Sequence, residues 1–335
     1  MVSSRRGAVL ALMLIVIGAS ACTSPESGRP PVVSDSSAGR TTEPPDGGVA
    51  RVTIFHATHF DGAWALGGGQ DFARRATLLR RLRAALPEPD HVLVVGNGDD
   101  IDPGAGRGAF DDIQFTLESG PDSSGRYAFE AFNAVGLDAE TYGFNELAWI
   151  ERLAPELRHA RFAMVSANVR DSTTGEVFGA EYGARPWVVK EVAGVTFGIT
   201  GALTIDGPVR PPAARVEVVE PGRALTEVVP RMRAAGADIV VVLSHLETRT
   251  EAQRIARSVP GIDLILGTHL GDPLQRINGT LLSVREWGVG HLGALDLTIR
   301  DGRIADAVLR QYTVEAGETA DPEVQRILDR YLPAR

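Results

Sequence analysis

The sequence contains a single cysteine, Cys22, among 335 residues, so an intramolecular disulfide is excluded. It also lacks a clustered basic face, because Lys and Arg are scattered along a chain whose formal net charge is −9. Binding to nucleic acid by counterion release needs clustered positive charge, and we therefore expect no nucleic-acid partner. The hydrophobic fraction of 44% and the charged fraction of 23% are typical of a globular protein.

A long hydrophobic run is also missing, because the apolar stretch at residues 8–17 is too short for a comfortable transmembrane span. Two arginines precede it, and the small residues 19–21 lead to Cys22, as signal peptidases require. This pattern resembles a bacterial lipoprotein signal, in which the cysteine is lipidated and becomes the new N-terminus. The alternative is an ordinary secretory peptide with an incidental cysteine. We predict a lipoprotein signal peptide over residues 1–22 and an extracytoplasmic, membrane-anchored location.

The sequence predicts two further segments after Cys22. Residues 23–50 are rich in Pro, Ser, Gly, Thr and Asp and cannot bury enough apolar surface to fold, which predicts a disordered tether. From residue 51 onwards the composition is that of a folded domain, which we expect to extend to residue 335.

Within residues 51–335, short apolar runs alternate with segments of helical periodicity, which predicts an α/β sandwich of two sheets. The arginines of the helical segment 72–86 are expected to form a solvated face. A hairpin is predicted to turn at Ala193 and Gly194. The main predicted strands lie at 52–55, 92–95, 139–142, 163–166, 239–243, 263–266, 281–284 and 294–299, and the main predicted helices at 72–86, 127–135, 225–235, 251–259 and 321–331.

Five polar motifs follow apolar runs that read as buried strands. Because open α/β sheets place their ligands at the carboxyl ends of strands, we expect these motifs to meet at one edge. Their His and Asp side chains are ligands that suit divalent cations. The motifs are His56-Ala57-Thr58-His59-Phe60-Asp61-Gly62, Gly98-Asp99-Asp100, Gly143-Phe144-Asn145-Glu146, Ser244-His245-Leu246-Glu247 and Gly267-Thr268-His269-Leu270-Gly271.

The order of these motifs resembles the 5′-nucleotidase branch of the calcineurin-like metallophosphoesterases. The resemblance extends from about residue 51 to about residue 332. It includes Leu137-Asp138-Ala139-Glu140-Thr141 before Gly143 and Gly261-Ile262-Asp263-Leu264-Ile265-Leu266 before Gly267. It implies an αββα sandwich of two mixed sheets flanked by helices, and metal-dependent hydrolysis of phosphate esters.

The resemblance also implies a set of metal ligands. The family's first motif, Asp-x-His, stands here as His59-Phe60-Asp61 with the two ligand types exchanged. Asp99 matches the bridging carboxylate, and His245 and His269 match later histidine ligands. One or two divalent cations are therefore expected, and the pattern does not distinguish Mn, Zn, Fe and Mg.

The sequence departs from the family pattern at three site positions. Phe144 replaces the family's asparagine ligand, Asn145 stands at the position of its general-acid histidine, and Gly271 replaces its last histidine ligand. A shift of one residue would make Asn145 a ligand instead. His56 is interpreted as a core or supporting residue. Asp100, Asp102 and Asp272 are further candidates for the metal-ligand positions that these replacements leave without a ligand.

These patterns favour a lipid-anchored, extracytoplasmic phosphoester hydrolase of the 5′-nucleotidase type with an altered metal site. Its expected substrate is a small phosphate ester such as a nucleotide, and a sulfur ester, as in a neighbouring branch of the fold, is an alternative. The chain ends soon after the last predicted helix, so we expect the catalytic domain only, without the family's base-stacking domain. The alternative function is that of a catalytically inactive binding or scaffold protein. The oligomeric state is left open.

Replacing the lipidation site tests the predicted anchor. Cys22→Ser should release the protein from the membrane fraction, because no other thiol can carry the lipid. Stable anchoring requires more than one acyl chain, so wild type should remain bound in high salt. Membrane fractionation with an immunoblot measures the distribution, and a variant that still sediments with membranes contradicts the prediction.

Overall fold

The computed structural model of the chain describes residues 48–57, 72–101, 125–207, 215–246, 249–267, 273–283 and 290–331. Helices and strands alternate along these ranges, as the apolar runs predicted. The strands are β1 (Val49–Ala57), β2 (Val92–Gly96), β3 (Ala139–Glu140), β4 (Ala163–Met164), β5 (Val169–Asp171), β6 (Val188–Val192), β7 (Val195–Leu203), β8 (Val216–Val218), β9 (Ile239–His245), β10 (Leu264–Gly267), β11 (Leu274–Ile277), β12 (Thr280–Ser283), β13 (His291–Arg300) and β14 (Arg303–Thr313).

The helices lie mostly between strands in the chain. Short segments of 3₁₀ helix cover Ala154–His159 and Ala180–Tyr182. The α-helices are α1 (Phe72–Ala84), α2 (Arg126–Val135), α3 (Phe144–Ala148), α4 (Ile150–Leu153), α5 (Pro221–Ala234), α6 (Arg249–Ser258) and α7 (Pro322–Tyr331). Among the helices of the described ranges, none has both the length and the apolar character that crossing a membrane requires.

Two mixed six-stranded sheets form the centre of the fold. The first has the order β14-β13-β1-β2-β3-β4, in which β1 to β4 are parallel, β13 is antiparallel to β1, and β14 is antiparallel to β13. The second has the order β11-β12-β10-β9-β7-β6, with a parallel centre and an antiparallel strand at each edge. The strands β5 and β8 form a small antiparallel pair.

Three apolar clusters show how these layers stack. The inner faces of both sheets pack against each other through side chains such as Ile54, Val241 and Leu264. The outer face of the first sheet packs with Phe129 of α2 in a cluster that also includes residues of α1 and α7. The outer face of the second sheet packs with Val228 of α5 in a cluster that also includes residues of α6. The arrangement is the predicted αββα sandwich of two mixed sheets flanked by helices.

The hairpin and the helix end confirm two local predictions. Between β6 and β7 both Ala193 and Gly194 have positive φ, at 54° and 72°, as a tight two-residue turn requires. Gly136 ends α2 with φ of 72°, and its N–H donates to the carbonyls of Phe132 and Asn133. The strands predicted at 281–284 and 294–299 correspond to β12 in the second sheet and β13 in the first.

The prediction that all arginines of α1 are solvated is wrong for Arg75. Its side chain is only 3% exposed, and it lines a partly open cavity of about 30 Å³ between the first sheet and the helices α1 and α2. Arg80 and Arg81 are exposed, and they form ion pairs with Glu323 and Glu318 at 2.9 and 2.7 Å. The cavity is also lined by His56, Asp100 and Glu140.

Candidate metal centre

Asp99 lies in a tight turn directly after β2. Its φ of 59° is in the left-handed region, where Asp is tolerated better than most residues, and the preceding Gly98 has φ of 86°. Gly98 also packs closely against the next motif, because a Cβ there would lie 2.6 Å from the backbone nitrogen of Gly143. The turn therefore brings the ends of β2 and β3 into contact.

The carboxylate of Glu146 holds this turn in place. Its Oε2 accepts hydrogen bonds from the backbone N–H groups of Asp99 and Gly143 at 2.9 and 2.8 Å. Its Oε1 accepts from those of Asp100 and Ile101 at 2.9 and 2.6 Å. Burial and the nearby Asp99 carboxylate raise the pKa of Glu146 to about 8, while the N–H donors oppose that shift. A single side chain thus fixes both motifs.

The two oxygens of Asp99 have different partners. Oδ1 accepts a hydrogen bond of 2.7 Å from the backbone N–H of Asn145. Oδ2 lies 3.3 Å from Nε2 of His245. Asp99 and His245 are 5% and 1% exposed, so this pair is shielded from bulk water. The structure therefore brings together two of the residues that the sequence predicted as ligands.

His245 ends β9 and is oriented by the backbone of the first sheet. Its Nδ1 lies 2.8 Å from the carbonyl oxygen of Asn97, which can only accept, so Nδ1 carries the proton in this contact. In the neutral ring Nε2 then has the lone pair, and this is the nitrogen that faces Asp99. A histidine whose other nitrogen donates to a carbonyl is the usual arrangement of a metal ligand.

The separation of these two atoms fits a shared cation. Two ligand atoms bound at about 2.0–2.1 Å to one tetrahedral ion are about 3.3 Å apart. The observed distance between Oδ2 of Asp99 and Nε2 of His245 is 3.3 Å. A carboxylate and an imidazole are also a donor set that divalent transition metals accept. Within the described ranges, no group of three or more His, Cys, Asp and Glu residues forms a complete metal cluster.

The remaining predicted site residues are not all described. His59, Asp61, His269 and the lipidation candidate Cys22 lie outside the described residues, as do Asp102 and Asp272. Asn145 is described: it is half-buried, at the start of α3, and its backbone N–H donates to Oδ1 of Asp99. Its predicted role at the position of an acid stays a prediction.

The ring of Phe144 occupies the space beside His245. The two rings meet edge to face with centroids 4.9 Å apart. On its other side the ring fills the space above Gly207, where a Cβ would overlap it. One flank of His245 is therefore apolar, and Phe144 supplies no metal ligand there.

Sequence reasoning missed three buried polar groups near this edge. Glu140 is fully buried, accepts from the N–H groups of Gly98 and Thr141 at 2.9 Å, and occupies the space that a Cβ at Gly96 would need. Burial and the nearby Asp100 and Glu146 carboxylates raise the pKa of Glu140 well above its usual value. The others are Arg75 and Asn97. Asn97 had a visible signal, since it is a polar residue directly after an apolar strand.

Comparisons with known proteins agree with this architecture. No protein-family model matches the chain. Over 212 residues it is 32% identical to the snake venom 5′-nucleotidase of Gloydius brevicauda, which covers 60% of this chain. The chain covers only 32% of the length of that venom enzyme.

Solved structures with the same fold cover most of the chain. The calcineurin-like phosphoesterase YfkN from Bacillus subtilis superimposes with a TM-score of 0.65 at 20% identity, covering 84% of this chain and 96% of that one. The sulfate thiohydrolase SoxB from Thermus thermophilus gives a TM-score of 0.66 at 19% identity, covering 86% and 60%. The chain thus has the fold of calcineurin-like phosphoesterases, and its sequence is similar to that of 5′-nucleotidases.

Substituting Glu146 tests whether it holds the Asp99 turn. Glu146→Gln replaces one acceptor oxygen by an NH₂ group that must face two backbone N–H donors. Each hydrogen bond to a charged group contributes about 1.5–3 kcal/mol, so we expect a loss of about 3 kcal/mol or more in unfolding free energy at pH 9. Urea denaturation measures it, with exposed Glu176→Gln as the control. Equal losses in the two variants would contradict this role.

Proposed function

We propose that this protein is a metal-dependent phosphoester hydrolase of the 5′-nucleotidase type with an altered metal site. The observation that carries the proposal is the pairing of Oδ2 of Asp99 with Nε2 of His245 at 3.3 Å. The hydrogen bond between Nδ1 of His245 and the Asn97 carbonyl supports it, because it directs the lone pair towards Asp99. The sequence similarity to 5′-nucleotidases supports the reaction class.

Asp99 and His245 would hold one divalent cation between them, and the motif pattern adds His59, Asp61 and His269 as further ligands. Such a cation supplies Lewis acidity to a phosphoryl oxygen when it is bound. The exchange of ligand types at His59 and Asp61 keeps one neutral and one anionic group, so the total charge of that motif is unchanged. Glu146 and the Asn97 carbonyl orient Asp99 and His245 respectively, as described above.

The substrate and location follow from the same patterns. We propose a small phosphate ester such as a nucleotide as the substrate, and a membrane anchor through lipidated Cys22, followed by a tether that ends before β1; the tether expected over residues 23–50 is too long by Val49 and Ala50, which pair with β13. Asn145 stands where the related enzymes have an acidic histidine, and a carboxamide does not titrate in the physiological range. Leaving groups must therefore take their proton from water or depart as anions.

A second candidate function is supported by Phe144. Its ring lies against His245 and fills the space above Gly207, so part of the expected site is apolar. This favours a catalytically inactive protein that keeps the fold for binding. In that case the 3.3 Å contact between Asp99 and His245 would join the two sheets without holding a cation.

Cation binding separates these two interpretations. Asp99→Asn should weaken Mn²⁺ binding and abolish the increase in thermal stability that Mn²⁺ gives to wild type. Saturation at about 100 times Kd stabilises a native state by roughly 2.7 kcal/mol, which a thermal melt detects easily. Asn is chosen because, like Asp, it tolerates the left-handed backbone at this position.

The matched control for Asp99→Asn is Asp301→Asn. Asp301 also has a positive φ, of 49°, but it lies exposed in the turn between β13 and β14. This variant should bind Mn²⁺ like wild type. If Asp99→Asn binds as tightly as wild type, or if wild type binds no divalent cation, the proposed metal centre is wrong.

Comparing the hydrolysis of phosphate esters that have different leaving groups tests whether the protein lacks a general acid. General acid catalysis typically contributes about 10²–10⁴-fold, and aryl leaving groups depend on it less than alkyl ones. With added Mn²⁺ we therefore expect slow hydrolysis of alkyl phosphates and faster hydrolysis of aryl phosphates. His59→Ala and Asp61→Ala should each abolish turnover. Equal rates for wild type and both variants, or no hydrolysis with any divalent cation, would favour the binding protein.

A further inference from the structure

Two buried asparagines in this fold differ in how their side chains are satisfied. Asn97 and Asn168 are both 0% exposed. Nδ2 of Asn168 donates to the carbonyls of Leu203 and Val219 at 2.6 and 2.8 Å, and Oδ1 accepts from the N–H of Leu203 at 3.0 Å. In the described part of the chain, neither Oδ1 nor Nδ2 of Asn97 has a hydrogen-bond partner.

An unsatisfied buried carboxamide destabilises a fold, so it needs an explanation such as an ion, a water or a catalytic role. The fold can satisfy a structural asparagine completely, as Asn168 shows. Asn97 therefore does not behave as a packing residue. An apolar side chain would fill the same position without leaving polar atoms unpaired.

The position of Asn97 links it to the candidate metal centre. It follows β2 directly, lies two residues before Asp99, and its carbonyl oxygen orients His245. Its carboxamide lies against the end of β10, because a Cβ on Gly267 would be 2.7 Å from Nδ2. Gly267 has φ of 90°, so both conformation and space at that position require glycine. The side chain is thus held between the Asp99 turn and the end of the second sheet.

Two serine hydroxyls at the same edge are also buried without a partner among the described residues, those of Ser244 and Ser283. Ser283 shares the face of Leu281, which belongs to the core between the sheets. Ser244 shares the face of Val242, which packs on the helix side of the second sheet. Buried polar groups without described partners therefore occur on both faces of this edge. Ser244 lies on the face away from the space between the sheets, so its substitution serves as a control for substitution of Asn97.

We propose that Asn97 is a further ligand of the cation at the Asp99–His245 centre, through its carboxamide oxygen. The inference rests on the proposed metal-dependent function. Carboxamide oxygens bind hard divalent cations as neutral ligands. Four carboxylates are buried around this edge, and their negative charge favours a cation as the occupant; they are Asp99, Asp100, Glu140 and Glu146. Full burial suits an ion of atomic size rather than a larger organic group.

Equilibrium dialysis against Mn²⁺ alone, followed by metal analysis, tests this role in the full-length protein. Asn97→Leu should bind Mn²⁺ roughly tenfold or more weakly than wild type. Asn97→Asp keeps an oxygen at the same position and adds charge, so it should bind Mn²⁺ at least as tightly as wild type. With EDTA present, Asn97→Leu should melt no lower than wild type, because it removes the unsatisfied group.

Ser244→Ala is the matched control. It removes an equally buried hydroxyl from the same edge but from the helix side of the sheet, and it should leave Mn²⁺ affinity unchanged. Equal weakening by Ser244→Ala and Asn97→Leu would overturn the proposal, since it would indicate general disruption of the edge. If Asn97→Leu fails to fold, weaker binding by Asn97→Asp overturns it instead.

Mn²⁺ binding by the wild-type protein shows whether the metal centre or only the ligand role of Asn97 is wrong. If wild type binds Mn²⁺ and Asn97→Leu binds it equally well, the ligand role of Asn97 is wrong and the metal centre stands, with a buried water as the partner of the carboxamide. If wild type binds no Mn²⁺, the metal centre and the role of Asn97 are both wrong. Selective loss in Asn97→Leu, with Asn97→Asp retained, supports the proposal.

Discussion

The candidate site depends on one carboxylate that accepts hydrogen bonds from four backbone N–H groups. Glu146 ties the turn after β2 to the start of α3, at distances of 2.6–2.9 Å. These bonds offset the cost of the positive φ at Asp99, a conformation that destabilises a non-glycine residue by about 1–3 kcal/mol. That conformation directs the carboxylate of Asp99 to both the N–H of Asn145 and Nε2 of His245. The strand ends of the two sheets therefore meet through Asp99, which Glu146 holds in place.

A second constraint is the balance of buried charge. Asp99, Asp100, Glu140 and Glu146 are all at most 5% exposed, and burial together with the neighbouring carboxylates raises the pKa of Glu140 and of Glu146. Buried charges of one sign are costly unless they are compensated. Arg75 lines the same cavity as Asp100 and Glu140, and it contributes one positive charge. A divalent cation beside Asp99 would offset two further negative charges, so the electrostatics and the ligand geometry favour the same kind of occupant.

Much of the fold could be predicted from the sequence because apolar runs and turn residues are local features that mark strands and hairpins. Apolar runs bounded by turn residues located β1, β2, β9 and β10, and the Ala193-Gly194 turn located a hairpin. The pairing of Asp99 with His245 could be predicted from their positions after buried strands. The fit of Glu140 into the space left by Gly96 could not, because it joins residues that are distant in sequence. The burial of Arg75 was not predicted because its positive charge suggested a solvent-exposed position, although the helical periodicity of α1 places it near the buried residues Phe72 and Leu79.

The fold accommodates an aromatic side chain at Phe144, within one of the predicted ligand motifs. The ring of Phe144 closes one flank of His245 and has room only because residue 207 is glycine. With that flank closed, the proposed cation would lie between Nε2 of His245 and the carboxylate of Asp99. Asn97 also lies at the end of β2, and its carboxamide has no partner among the described residues. The proposed metal site would therefore combine the apolar packing of Phe144 on His245 with an oxygen ligand from Asn97, and it would hold a single cation between strand ends of both sheets.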